Sequence, residues 1–207
     1  MFPPRGEATT LVAKRVDALN GVDDALLAKL PRRVRDRQGN AGDMVNFLIL
    51  GSDAAMQRAF KHAGWVTVDA DVPGAVITGV LGSLSKEAYL TMPMSQLYLF
   101  DRPQDFGWAH AEPIKVVASR HHLRVWRAPM TVAGATLWTG AATHDIGFER
   151  DQRNNGVTHR IDPNIDLERE YVEKTLTGTG IVTEFTYVLP KRCVARSKNG
   201  DRRHVSI

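Results

Sequence analysis

The sequence predicts an α/β domain, or its α+β variant: a mixed β-sheet with flanking helices and a C-terminal half rich in β-hairpins. Three observations carry this. A nearly continuous apolar run, Val45 to Leu50, is followed by Gly51-Ser52-Asp53 and a helical stripe at Met56, Ala59, Phe60 and Ala63. Two segments, His121 to Trp126 and Leu137 to Ile146, alternate in the two-residue period of strands and flank a turn signal near Gly134. Finally, Asp162-Pro163-Asn164 opens a helix whose Ile165, Val172 and Leu176 recur on one side.

At 207 residues, with 43% hydrophobic and 24% charged content, the chain suffices for one compact domain. We assign that domain to residues 44–190. Residues 1–43 are read as a helical extension and basic connector, and 191–207 as a basic tail. In the extension, Leu11, Val12, Val16 and Leu19, then Leu26, Leu27 and Leu30, lie at helical spacing, broken at Asn20-Gly21. Residues 32–43 are charged and contain Gly39 and Gly42, as a linker would.

Val45 to Leu50 has the texture of a strand buried on both faces, with Ser52 or Asp53 as the cap of the next helix. Residues 64–68 return as a strand. Pro73 to Tyr89 is expected to be helical, Leu97 to Phe100 a short strand, and Arg102 to Asp105 a turn. On the 121–126 strand, His121, Leu123 and Val125 share one face, and His122, Arg124 and Trp126 the other. On its partner, Trp138, Gly140 and Ala142 oppose Thr139, Ala141, Thr143 and Asp145, and the small residues beside long polar ones leave room for a concavity. A polar loop at 151–156 precedes a strand at 157–161, and Ile181 to Leu189 reads as the last strand. On the stripe of the 165–176 helix, Glu168 or Arg169 must sit near packed surface and needs a partner there.

Several functions are excluded. The one cysteine, Cys193, rules out an internal disulfide and a cysteine-based zinc cage. The best apolar run, Val72 to Leu84, carries three glycines and a proline and is shorter than the roughly 18 residues of a spanning helix. The first residues, Met-Phe-Pro-Pro-Arg-Gly-Glu, lack the apolar core of a secretory signal. The chain therefore reads as cytoplasmic, at most peripheral to a membrane. Its net charge of +4 is peripheral: five of 27 cations lie in Lys29 to Arg37 and six in Lys191 to Arg203, with one acid in each segment. The remaining body holds 16 basic against 21 acidic side chains, and no finger, helix-turn-helix or RNA-stacking motif is present, so nucleic acid is not an expected partner.

The chemistry-bearing residues gather between 120 and 169. Arg120, Arg124 and Arg169 offer planar forks for phosphate or carboxylate. His122 and His159 can act as general acid or base, with Asp145 orienting them. No nucleophile is marked, since Ser52 lacks the Gly-x-Ser-x-Gly elbow and Cys193 lies in the tail. His122, His159, Asp145 and Asp162 are metal-ligand types without diagnostic spacing, so neither metal nor cofactor is expected.

Four phrases resemble the LssY C-terminal domain family of bacteria: residues 97–105 (LYLFDRPQD), 120–126 (RHHLRVW), 137–142 (LWTGAA) and 158–169 (THRIDPNIDLER). The openings at 45–52 and 59–65 fit as well, and the likeness covers roughly residues 31–189. The pattern falls on Arg120, His122, Arg124 and Trp126, on Trp138, Gly140 and Asp145, and on His159, Asp162, Asp166 and Arg169. His121 and His144 fall where the pattern varies. The chain departs at Asp101, where the family shows glycine, and at Gln96, where it tends to proline. The resemblance implies company with membrane-embedded, lipid-phosphatase-like segments.

Together these readings lead to an envelope-associated accessory domain that recognises an anionic, phosphate-bearing ligand, with a membrane protein or lipid headgroup as partner. Trp126, Trp138, Asp162 and Asp166 have structural or orienting roles. The first alternative is a phosphoester hydrolase, metal-assisted or not, built on His122, His159, Asp145 and the arginines. The second is an interaction module in which the same groups form an internal polar network.

Overall fold

The two alternating segments form one long hairpin, β8 (Arg120–Val132) and β9 (Ala135–Arg150), numbered in chain order. Its turn places Ala133 and Gly134 at φ +48° and +79°, the paired left-handed conformation that matches strand twist in two-residue hairpins. The computed structural model describes residues 21–68, 94–110, 119–150 and 157–187, with backbone alone at 148–150 and 157–159. Residues 30–185 form one compact unit. Residues 1–29 and 186–207 group into another, whose described part includes helix α1 (Asp24–Lys29).

β9 is long enough to take two partners along one edge. Its first half pairs with β3 (Phe47–Leu50), and its second half with β10 (Val157–Ile161). On the other side follow β8, β7 (Phe106–His110) and β4 (Val66–Thr67), completing a six-stranded sheet. A smaller sheet runs in the order β2 (Ala41–Met44), β1 (Arg33–Arg35), β5 (Tyr98–Leu99), β6 (Arg102–Pro103). Both sheets are antiparallel, so the α+β form of the expected class holds.

Each face of the large sheet is covered differently. On the Leu123 face, α2 (Asp53–His62) contributes Met56, Ala59 and Phe60, and α3 (Ile165–Thr177) contributes Val172 and Leu176. These pack with Trp108, Leu123, Val125, Trp138 and Ala142. Burying each large apolar side chain stabilises the fold by about 1.5–3 kcal/mol. On the opposite face the small sheet sends Val34 and Leu99 against Trp126 and Ala141. Both helices start where the sequence places a cap: Ser52 Oγ accepts from the Ala55 N–H, and Asn164 Oδ1 from the Leu167 N–H.

Several expectations are corrected. The presumed linker at 32–43 contributes β1 and β2, because Val34 is fully buried under Trp126 and anchors its segment. The turn expected at 102–105 lies earlier: Phe100 and Asp101 take φ +53° and +58°, and Arg102 and Pro103 pair back onto Leu99 and Tyr98. Asp101 thus occupies a left-handed position that suits glycine. β3 is half-buried, because it lies along only part of β9 rather than within a doubly covered sheet. The space above Gly140 is no concavity, since the Phe47 ring fills it and a Cβ there would stand 2.0 Å from Phe47 Cζ. Residues 181–187 form no strand. The expected helical positions at 7–20, the helix at 73–89, the loop at 151–156 and the tail at 191–207 lie outside the described residues. Among the described residues no helix is long and apolar enough to cross a membrane.

Candidate functional site

The hairpin register decides which polar side chains meet. Arg120 faces Asp145, His122 faces Thr143 and Arg124 faces Ala141, all on the face that also carries Trp126. Arg120 Nε lies 3.5 Å from Asp145 Oδ2, and His122 Nδ1 lies 3.3 Å from the same oxygen. His122 Nε2 is 2.8 Å from Thr143 Oγ1. Arg124 Nη1 donates to Asp43 Oδ2 of β2 at 3.4 Å. Arg120 retains 1% of its surface and Asp145 none. Burial draws the Arg124 guanidinium below its ordinary value, against the pull of Asp43 and Asp145, while nearby Arg120 adds to the lowering. Within the four residues Arg120, Arg124, Asp43 and Asp145, two cations meet two carboxylates, all buried except Asp43, which is partly exposed.

The other face holds a second group. His121 lies across from His144, their rings stacked at 4.1 Å. Glu168, in the first turn of α3, places Oε2 2.6 Å from His121 Nδ1. Tyr171 stacks on His121 at 3.6 Å, and its hydroxyl lies 2.7 Å from His110 Nδ1. His144 Nε2 lies 2.7 Å from Ser119 Oγ, and its Nδ1 lies 4.0 Å from Asp162 Oδ2. Burial raises the Glu168 carboxyl above its usual range, against the hydrogen bond and charge of His121.

Of the residues singled out from sequence, Arg120, His122 and Asp145 come together, and Arg124 stands beside them on Asp43. Trp126 roofs the same face, while Trp138 belongs to the opposite core and donates its Nε1–H to Gly51 O. Arg169 does not join the cluster. It pairs with Asp166 as a partly exposed i,i+3 couple, an arrangement of small energetic weight. The buried place on the stripe belongs to Glu168, which lies four residues before Val172, whereas Arg169 is turned about 100° further round. Asp162 caps the turn before α3, accepting from the Asn164 N–H and donating its own N–H to His144 O. β10 carries His159, whose side chain lies outside the described residues.

His121 and His144, which fall where the family pattern varies, stand together on this face, and Asp43, Tyr171, His110 and Asn46, which carry no signal in the sequence, also take part. The His121–His144 pairing was available from the hairpin register, but the others depend on contacts between distant segments. Asn46 acts as an extra rung of β3: its amide donates to Ala142 O at 2.8 Å and its carbonyl accepts the Ala142 N–H at 2.9 Å.

Fold and site together define an antiparallel α+β domain with interior charged groups on both faces of one hairpin. The chain belongs to the LssY C-terminus family, whose model matches residues 27–205. No curated protein and no solved structure matches it.

Proposed function

We propose that this is an envelope-associated accessory domain that recognises an anionic, phosphate-bearing ligand at its surface. The observation that carries the reading is an open cleft lined by Arg102 and Arg127 together with Phe100, Pro129, Met130 and Thr131. Arg127 is exposed, and no acid among the described residues lies within ion-pairing distance of its guanidinium. Arg102 is shared with Asp105. A free guanidinium above apolar side chains suits a phosphate carried on a greasy body, as in a lipid headgroup. Arg120 and Arg124, the arginines expected to bind the anion, are instead matched to Asp145 and Asp43.

That matching also weighs against the hydrolase reading at His122. Its ring lies between Asp145 and Thr143, and its side chain keeps only 5% of its surface. The internal-network alternative describes this group better, and it is compatible with a ligand bound elsewhere on the domain.

The test is co-sedimentation of the full chain with phosphatidylcholine vesicles, with and without phosphatidic acid. Binding should require the acidic lipid, weaken with salt and fall in Arg127→Glu. Equal binding to neutral vesicles would overturn the proposal. So would binding that survives Arg127→Glu and is lost on reversing Arg202 and Arg203, since the basic tail would then be the carrier.

A further inference from the structure

The histidine face of the hairpin supports a second reading that does not rest on the cleft. Register sets His121 of β8 across from His144 of β9, and α3 lays Glu168 over them from its first turn. One donor atom from each of the three lies within 4.8 Å of the other two. Two imidazoles and one carboxylate form the donor set of zinc and of non-haem iron centres that keep a position open. We propose that His121, His144 and Glu168 bind one divalent transition-metal ion.

Three features argue for a cation. The group lies at the edge of the interior, with His121 at 4% and Glu168 at 3% exposure, and Leu123 two residues along β8 and Val172 one turn along α3 belong to the apolar core. Apolar side chains would fill such a place at less cost than two imidazoles and an acid. Secondly, Glu168 Oε2 is engaged by His121 Nδ1, but Oε1 is buried with no hydrogen-bond partner. A carboxylate oxygen left over in the interior is a ligand awaiting a positive centre. Thirdly, Ser119 Oγ holds the His144 ring at Nε2, and Tyr171 fixes the plane of His121 by stacking, as outer partners do for metal-binding imidazoles.

The dimensions suit a small ion. Bonds of about 2.0–2.2 Å limit any two donors to roughly 4.4 Å apart. Closing the 4.8 Å separations requires His144, whose side chain keeps 16% of its surface, to swing out of its stack on His121 so that both ring lone pairs point at one ion. Both oxygens of Glu168 then face the ion, Oε1 as the oxygen without a partner and Oε2 once the ion replaces the proton it shares with His121 Nδ1, so binding releases a proton. With three protein donors, a further position is left to water or to an oxygen of an anionic ligand.

The experiment uses the untagged full chain, stripped with chelator and titrated calorimetrically with Zn²⁺ alone, Co²⁺ alone and Mg²⁺ alone. One equivalent of Zn²⁺ or Co²⁺ should bind, cobalt developing the visible bands of an ordered low-coordinate site, while Mg²⁺ leaves the protein unchanged. Glu168→Gln and His144→Ala, checked for fold by circular dichroism, should each weaken Zn²⁺ binding by at least about tenfold. Should neither variant fold, imidazole nitrogen NMR of the wild type decides, with His121 and His144 expected to shift on adding Zn²⁺. Absence of stoichiometric binding overturns the proposal. Unchanged affinity in both folded variants, or shifts confined to other histidines, does so equally.

Discussion

Asp145→Asn is the sharpest perturbation of the arginine face. It keeps the shape of a fully buried side chain and removes the negative charge that faces Arg120 at 3.5 Å and His122 at 3.3 Å. At an effective dielectric constant of about 20, two unit charges 3.5 Å apart attract by roughly 5 kcal/mol. Part of that returns, because the carboxylate no longer has to be desolvated and the amide oxygen still accepts a hydrogen bond. Removing one member of a buried pair costs about 3–5 kcal/mol in comparable situations, and that range is the expectation here. Against a total stability of about 5–15 kcal/mol, the loss is a large share. Urea unfolding at neutral pH, followed by circular dichroism, should show the midpoint falling by about 1.5–2.5 M for a slope near 2 kcal/mol per M. Adding Arg120→Met removes the stranded cation, so the double variant should be more stable than Asp145→Asn alone. A single variant within about 1 kcal/mol of wild type, or a double variant whose losses simply add, would show that the ion pair is not what holds this face together.

Three further predictions concern other parts of the fold. Asn46→Ala strips both hydrogen bonds from the backbone of Ala142, which is fully buried, and should cost roughly 1–3 kcal/mol in the same urea assay; a neutral effect would mean that the extra rung adds nothing. Gly140→Ala drives a methyl into the Phe47 ring and should cost about 1–3 kcal/mol, partly recovered by Phe47→Leu, as read by thermal unfolding. Glu168 has its folded carboxyl raised above the unfolded value by burial, so its contribution is greatest below the ordinary carboxyl range and is lost as pH rises through the folded value. In chelator, wild-type stability should therefore decline across that window relative to Glu168→Gln, and parallel curves for the two proteins would refute the assignment.

Local pattern carried much of the fold. The two-residue alternation of 121–126 and 137–146 places every side chain on its observed face, because strand geometry is a property of consecutive residues. The cap positions were narrowed to Ser52 or Asp53 and to Asp162 or Asn164 for the same reason, and the structure uses Ser52 and Asn164. Legibility failed where one residue of rotation matters, as between Glu168 and Arg169 on α3, or where a short charged segment gains order only by pairing. Arg33–Arg35 forms a strand because Val34 finds Trp126, not because its own sequence favours one.

The amino-acid sequence by itself determined which side chains share a face of the hairpin, where α2 and α3 begin, and which stretch gathers the histidines, arginines and acids. Only the tertiary structure decided what those groups do to one another. Arg124 is neutralised by Asp43 from 81 residues away, and His121 meets Glu168 from 47 residues away. Such partnerships depend on how a second sheet and a helix are seated on the first, and side-chain packing over long sequence separations settles that. Local periodicity therefore located both polar faces, while long-range packing made one a charge-matched clasp and left the other a set of metal donors.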